Sequence, residues 1–438
     1  MARRRARIPL NVFMNSRLVG SLRRETSGAI DFRYDPAWLA WEHAIPVSLS
    51  LPLREDRFIG DRVLAVFDNL LPDSDLIRRQ LAERVGAAGQ DAFSLLSAIG
   101  RDCVGALRFL PDGSEPAPAG KIDGRAITDD DVANILRNLA RAPLGIGSDE
   151  FRISIAGAQE KTALLRWKGR WHIPHGTTAT THILKPAIGK LPNGIDLSYS
   201  VENEHLCLRL AEALGLPSAP TEIASFDGQR VLVVERFDRR WVDKGARLLR
   251  LPQEDCCQAL SVPPSRKYEP DGGPGIRSIA ELLKGSDDAS ADRRTLLKTQ
   301  IVFWLLGATD GHAKNFSLHL YPAGRFRLTP LYDIMSAQPN VDAGQIRRNK
   351  MKLAMAVGDK RHYVVDTVAP RHFQQTAAAC GISSATVQEV FEEIAQAAPK
   401  ALKDTLAKMP DGFPDKIAES IAKGVTTRLK LLEMAAPV

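Results

Sequence analysis

The stretch Ile301–Ala337, IVFWLLGATDGHAKNFSLHLYPAGRFRLTPLYDIMSA, constrains the fold more than any other part of the chain. It opens with Ile301–Leu306, an apolar run with no polar stripe at helical spacing, which predicts the end of a helix buried on all sides. Gly307 stops that helix, and Thr309–Asn315 reads as a short polar loop carrying Asp310, His312, Lys314 and Asn315. Alternation follows, with Phe316, Leu318 and Leu320 apolar and Ser317, His319 and Tyr321 between them. Pro322–Arg325 turns the chain and Phe326–Leu331 returns, so a β-hairpin with a four-residue loop is expected. Pairing Tyr321 with Phe326 sets Asn315 opposite Tyr332 and places Asp333 beside Asn315 at the open end. Local geometry alone thus gathers three oxygen-bearing side chains, Asp310, Asn315 and Asp333.

Phosphoryl transfer uses such a set: a carboxylate to orient the attacking hydroxyl and hard oxygen ligands for Mg²⁺ on the phosphates. In protein kinases the base and the amide ligand are spaced Asp-x-x-x-x-Asn, followed by a hairpin and a second metal-binding Asp. Asp310, Asn315 and Asp333 have that spacing and order. The plainer alternative is a polar loop capping a helix and a strand-end Asp closing a turn. The buried helix before the loop and the Asp-ended hairpin after it favour the site.

A chain of 438 residues has ample capacity for a buried core, with about two or three domains. Hydrophobic residues at 44% and charged residues at 25% describe an ordinary soluble globular protein. No apolar run approaches the ~18 residues of a membrane helix. The basic start MARRRARIPL is followed by no apolar h-region, so a cytoplasmic protein with no membrane association is expected. Five cysteines without metal-ligand spacing fit free thiols in a reducing compartment. The net charge of +7 is compatible with nucleic-acid association, but a solvated basic surface is the plainer and favoured reading.

In chain order, residues 8–110 read as a β-rich unit. Within it Leu10–Met14 and Leu18–Leu22 flank an Asn15-Ser16 turn, and a helix runs to Arg84 from an Asp73 or Ser74 N-cap. Residues 111–121 look like a Pro- and Gly-rich linker, and 128–140 like an amphipathic helix with Ile135 and Leu139 on one side. In Phe151–Trp167, strands Arg152–Ile155 and Thr162–Leu165 flank Ala156-Gly157-Ala158-Gln159-Glu160-Lys161. Small residues there let backbone N–H groups approach a phosphate and Lys161 adds charge, though a plain hairpin needs no ligand. Ser154 puts a hydroxyl at the loop's edge, where a structural strand serine is the ordinary reading.

Thr181–Lys185 reads as a strand and Ser200–Leu214 as a helix with Val201, Glu204, Leu208 and Ala211 on one face. A carboxylate among apolar neighbours needs a partner, and Lys185 is a candidate. A strand Lys paired with a helix Glu positions phosphates in kinases; two unrelated surface charges are the alternative. Val231–Val234 is a buried strand leaving into Glu235-Arg236-Phe237, as a hinge between two lobes does. Beyond residue 275, apart from the hairpin, helices are expected at Ile276–Lys284, Asp292–Leu306, Ala385–Ala398, Pro399–Met409 and Pro414–Glu433. The fold class expected is α+β, a two-lobed protein-kinase-like plan, β-rich first and mainly helical later.

With these stretches in place the chain resembles the HipA-type serine/threonine kinases, toxins of bacterial type II toxin–antitoxin pairs. FDNLLPDS (67–74), IGRDCVGAL (99–107), FRISIAGAQEKTALL (151–165) and VERFDRRW (234–241) carry the likeness. So do RLPQED (250–255), KYEPDGGPGI (267–276), GATDGHAKNFS (307–317) and LTPLYDI (328–334). The resemblance implies an added N-terminal subdomain at 1–110, a kinase N-lobe with ATP loop and hinge at 111–240, and a helical C-lobe at 241–438. It implies ATP and Mg²⁺ as cofactors, Asp310 as catalytic base, and Asn315 and Asp333 as metal ligands. ATP would be held by Ala156, Gly157, Ala158, Gln159, Glu160, Lys161, Lys185, Glu235, Arg236 and Phe237. His312, Ala313, Lys314, Asn315, Tyr332 and Asp333 would line the nucleotide from the other lobe, with Glu204 pairing the strand lysine. Ser154 would be the autophosphorylated residue whose modification ejects its loop and inactivates the enzyme.

The same resemblance implies a helix-turn-helix antitoxin as partner, operator DNA reached mainly through that antitoxin, and a corepressor role. It also implies an aminoacyl-tRNA synthetase, chiefly the glutamate enzyme, as the substrate whose modification halts translation and promotes dormancy. No recognition helix is evident in the chain; the basic N-terminus and Arg347-Arg348-Asn349-Lys350 offer charge toward phosphates. The chain departs from ordinary protein kinases: no His-Arg precedes Asp310, Tyr332-Asp333-Ile334 stands for Asp-Phe-Gly, and no Ala-Pro-Glu segment is evident. Alternatives are a small-molecule or lipid phosphotransferase on the same scaffold, a non-enzymatic nucleotide-binding corepressor, and a metal hydrolase using Asp310, His312 and Asp333.

Overall fold

In the computed structural model the described residues are 9–435, apart from Ser27, Arg141, 146–152 and Ala158. The first unit is an antiparallel sheet of β1 (Leu10–Met14), β2 (Arg17–Arg24), β3 (Ile30–Tyr34), β4 (Phe58–Ile59) and β5 (Leu107–Pro111), in the order β4-β3-β2-β1-β5. Helices Asp61–Asp68, Asp75–Val85 and Ala92–Ile99 accompany it. The second of these starts on Ser74, whose side chain accepts from the Ile77 N–H, and ends at Gly86 in the left-handed region.

A second antiparallel sheet builds the roof of the cleft. It contains β6 (Gly124–Ile127), β7 (Thr162–Trp167), β8 (Arg170–Pro174) and β9 (His182–Pro186). A small hairpin of β10 (Gly189–Lys190) and β11 (Asp196–Leu197) comes next, before β12 (Thr221–Phe226) and β13 (Gln229–Glu235) complete the sheet. Its order is β12-β13-β9-β7-β8-β6, so β9, the bearer of Lys185, lies between β13 and β7. The two large sheets share one apolar core, in which Leu10, Phe32 and Phe67 are continuous with Leu164, Leu184 and Val231.

The helix Ser200–Ala213 crosses behind the second sheet with Glu202 and Glu204 both buried; Glu202 pairs with Arg230 at 3.1 Å. The lower lobe is organised on the helix Ala289–Leu306, every residue of which from Leu296 onward is buried. Gly307 ends it at φ 66°, where a side chain would be strained and its Cβ, 2.1 Å from the Met351 methyl, would have to displace that side chain. All five cysteines are buried free thiols. Among the described residues no helix is long and apolar enough to cross a membrane.

Four expectations are corrected. The hairpin after the polar loop pairs Leu320 with Phe326 and Leu318 with Leu328, one residue off the expected register, so Tyr321 faces Arg325. The cause is the turn: Ala323 (φ 62°) and Gly324 (φ 72°) are both left-handed, which tightens it to three residues, Pro322–Gly324. Ile153–Ala156 form no strand; Ser154 is instead held by single contacts to the first unit. The helices expected on either side of Pro399 are one helix, Ser384–Leu406, because its apolar face from Val387 through Ala398 to Thr405 packs continuously across the proline. The region beyond residue 275 also contains a second hairpin, Lys352–Val357 with His362–Val364.

Candidate active site

The polar loop after Gly307 is braced through the main chain of Asp310. Its carbonyl accepts from the His312 N–H at 2.8 Å and from Asn315 Nδ2 at 2.7 Å. Gly311 lies so near the Phe303 ring that a Cβ would approach it to 2.3 Å, which keeps the loop flush with the buried helix. The Asp310 carboxylate is left facing the cleft, its side chain 49% accessible, and accepts from the Tyr268 hydroxyl at 2.5 Å. Its recess in the cleft raises its pKa, and the negative charge of Asp333 adds to the rise. His312 is buried and neutral: burial holds it down to about 4, with Lys267 reinforcing, and its Nδ1 has no hydrogen-bond partner.

Asp333 projects into the same space from the far end of the hairpin, its backbone in the left-handed region at φ 61°. It lies 2.8 Å from Lys185 Nζ, which is also 2.7 Å from Glu204. The pairing between the strand lysine and the helix carboxylate, left open by the sequence, is therefore present. Burial alone would discharge Lys185, but Asp333 and Glu204 outweigh it and raise its pKa. Burial likewise works to raise Asp333, but Lys185 and then Lys161 outweigh it and hold its carboxyl well below the usual carboxylate range.

Above this triad runs the loop 156–161. Lys161 Nζ donates to the Ala156 carbonyl at 2.7 Å, and burial, helped by Lys185, brings its pKa down to about 8. Gly157 has φ 108°, and a Cβ on it would meet Lys161 Nζ at 2.5 Å. Gln159 Nε2 reaches the Pro186 carbonyl at 3.1 Å. Ser154 is fully buried, its hydroxyl donating to the Leu70 carbonyl at 2.7 Å and its N–H to the Asp102 carbonyl at 3.0 Å.

These groups surround one cleft of about 510 Å³. Ala156, Gly157, Gln159, Lys161, Lys185, Glu204 and the hinge residues Glu235, Arg236 and Phe237 line it from above; Asp310, His312, Lys314, Asn315, Tyr332 and Asp333 line it from below. Phe237 packs 5.8 Å from the Tyr332 ring, closing the hinge end. Arg236 contributes backbone, since its guanidinium turns away to Asp238 at 2.8 Å and Thr180 at 2.9 Å. Glu160 is exposed and Ala313 lies beneath the surface, both outside the lining. Ala158 lies outside the described residues.

Lining residues not foreseen as site groups include Asp73, Lys267 and Tyr268. Asp73 reaches in from the first unit and pairs with Lys314 and, at 2.7 Å, with Lys267. Asp73 was visible in the sequence as a cap candidate and within the FDNLLPDS stretch of the resemblance, and the KYEP run only as part of that resemblance. The donor set suits a polyphosphate nucleotide with a hard cation. Hard oxygens from Asp333 and Asn315 face the cleft beside cationic Lys185 and Lys161, the backbone is open at Gly157, and a buried imidazole nitrogen has no partner.

A family model described as the HipA-like C-terminal domain matches residues 153–402, and one described as the HipA N-terminal domain matches residues 10–110. The putative kinase Y4mE of Sinorhizobium fredii is 35% identical over 431 residues, covering 97% of this chain and 99% of that protein. The serine/threonine-protein kinase toxin HipA of Shewanella oneidensis is 29% identical over 366 residues, covering 81% of this chain and 79% of the relative. A solved complex of Shewanella oneidensis HipA, HipB and operator DNA contains a chain of the same fold. It matches with a TM-score of 0.81 at 24% identity, covering 98% of this chain and 99% of that one.

Proposed function

Because the chain belongs to the HipA family of kinases, we propose that it is an ATP- and Mg²⁺-dependent protein kinase acting on serine or threonine hydroxyls. The observation that carries this reading is the convergence of Asp310, Asn315, Asp333 and the Lys185–Glu204 pair on one cleft. Asn315 and Asp333 would hold the metal, and Lys185, fixed by Glu204, would meet the nucleotide's phosphates with the loop 156–161 above them. Bound there, Mg·ATP supplies the transferable phosphoryl group. Asp310 orients the acceptor hydroxyl and takes its proton; Phe237 and Tyr332 wall the hinge end against water.

In this reading the protein is the toxin of a type II toxin–antitoxin pair and works in the cytoplasm. Its partner is a helix-turn-helix antitoxin like the HipB in the Shewanella complex, through which it reaches operator DNA as a corepressor. The exposed Arg347, Arg348 and Lys350 add charge toward DNA phosphates. The external substrate is an aminoacyl-tRNA synthetase, the glutamate enzyme first, whose modification halts translation. Ser154 is the self-modification site, and its burial under Leu70 means the loop must leave its seat before the hydroxyl meets the nucleotide.

The test is peptide mass spectrometry of phosphatase-stripped protein after incubation with Mg·ATP, beside Asp310→Asn. Phosphate on Ser154 in the wild type and none in the variant is the expected result. A wild type that binds ATP and stays unmodified supports the corepressor reading instead, and phosphate confined to other residues removes Ser154 from the mechanism.

A further inference from the structure

Resting on the kinase reading above, we propose that Tyr268 is the positioning residue of the transfer reaction. Its hydroxyl holds one oxygen of Asp310 so that the other faces the incoming acceptor hydroxyl. The need for such a residue follows from the loop itself. Its bonds from His312 and Asn315 go to the carbonyl of Asp310 and leave the carboxylate unbraced. His312 Nε2 stands 3.9 Å from Oδ1, too far for a hydrogen bond. A carboxylate that is 49% accessible rotates freely unless something outside the loop stops it. Tyr268, donating to Oδ1 at 2.5 Å, supplies that stop.

Tyr268 is itself held rigidly. Its carbonyl accepts from the N–H groups of Asp271 (3.1 Å) and Gly273 (2.9 Å), and its ring stands edge-on to His312 at 4.8 Å. Gly273 is packed so tightly that a Cβ would come within 2.0 Å of the Arg266 carbonyl. The residues on either side are anchored to different parts of the molecule. Lys267 binds Asp73, which also holds Lys314, and Glu269 caps the Ala356 N–H at 2.6 Å. The loop therefore delivers the phenol to a fixed point.

A phenol suits the task chemically. It donates one hydrogen bond and carries no charge, so it orients Asp310 without neutralising it, as a lysine in the same place would. Lys267, one residue earlier, is engaged by Asp73 instead. Burial and the adjacent Asp310 carboxylate push the Tyr268 hydroxyl above its ordinary pKa, so it remains a donor.

The test measures initial rates of γ-phosphate incorporation by phosphatase-stripped, full-length protein across a range of Mg·ATP concentrations. Tyr268→Phe removes one oxygen from a half-buried ring. It is expected to lower the maximal rate about 10- to 100-fold while the half-saturating ATP concentration and the thermal midpoint stay as in the wild type. A wild-type maximal rate in Tyr268→Phe, or a loss confined to ATP affinity, overturns the proposal. So does phosphate on Tyr268 itself, which makes it an acceptor. A wild type that transfers no phosphate sinks the kinase reading and this one with it, whereas an active wild type matched by Tyr268→Phe sinks only this one.

Discussion

Lys314 of the polar loop and Asp73 of the first unit are ion-paired across 241 residues of sequence. Asp73 simultaneously takes Lys267 at 2.7 Å, so one carboxylate from the N-terminal part serves two cations at the cleft. Burial would raise its pKa, but Lys314 and Lys267 outweigh it and hold the carboxyl below its ordinary value. The N-terminal unit is thus a wall of the site and not an appendage to it.

Asp73→Asn leaves two lysines at the cleft without their counter-ion. Removing one member of a buried pair costs about 3 kcal/mol. The expected result in urea unfolding is a lower midpoint with an unchanged slope, accompanied by slower phosphate transfer. A variant with wild-type stability and wild-type rate would mean that the pairing is incidental.

Much of the lower lobe was legible because its signals are local. The apolar run ending in Gly307, the polar loop and the Asp333 that follows a hairpin each depend on neighbours within a few residues. The Lys185–Glu204 contact was also within reach, since a buried helix carboxylate requires a cation. The hairpin register was not, because it turned on two left-handed residues of which one, Ala323, is not a glycine. Tyr268 and Asp73 were beyond any local pattern: their partners Asp310 and Lys314 lie 42 and 241 residues away, and nothing in periodicity encodes a contact of that kind. Pro399 misled for the opposite reason, as a strong local breaker was overridden by continuous packing on one helix face.

Glu254 gives the fold a pH dependence. It is 1% exposed, accepts from the Leu49 N–H at 2.8 Å through one oxygen, and has no partner for the other. Burial pushes its pKa from 4.5 up to about 8, so between those values the folded chain holds a proton that the unfolded chain has released. Stability is therefore full below the unfolded value and falls as pH rises toward about 8. The buried histidines His182, His205 and His312 act in the opposite sense only below 6.5, where the unfolded imidazoles protonate. In urea midpoints from pH 6.5 to 8, Lys161, held down to about 8, slopes the other way, so Glu254 is read from the difference between wild type and Glu254→Gln. The substitution is expected to remove up to about 1.4 kcal/mol per pH unit of falling slope. Equal slopes in variant and wild type would show that Glu254 is already ionised in the fold.

Gly157 is where the loop over the cleft admits no side chain. At φ 108° an L-residue is strained, and a Cβ would lie 2.5 Å from Lys161 Nζ. The lysine end can move, but only by giving up its bond to the Ala156 carbonyl at 2.7 Å. Gly157→Ala is expected to weaken nucleotide binding about tenfold, roughly 1.4 kcal/mol, with little change in global unfolding. Calorimetric titration with ATP and Mg²⁺ measures this, and an unchanged affinity would take the loop out of the binding site.

Asp102 ties the loop of Ser154 to the hinge. Its Oδ1 meets Arg239 at 2.9 Å and Arg250 at 2.7 Å, its Oδ2 takes the Thr180 hydroxyl at 2.7 Å, and its carbonyl receives the Ser154 N–H at 3.0 Å. Arg236 and Arg239 in turn bind Asp238, which accepts from the Gly105 N–H at 2.7 Å. Burial favours a neutral Asp102, but Arg239, Arg250 and Arg236 outweigh it and drive its carboxyl far below the ordinary range. Asp102→Asn keeps the shape and removes the charge that makes three buried guanidinium groups tolerable. The expected cost is about 3–5 kcal/mol. Because the same residue touches both segments, amide hydrogen exchange should accelerate together at Ser154 and at Arg236, before global unfolding contributes. Acceleration at only one of the two would show that the loop and the hinge open independently, and that Asp102 braces each without coupling them.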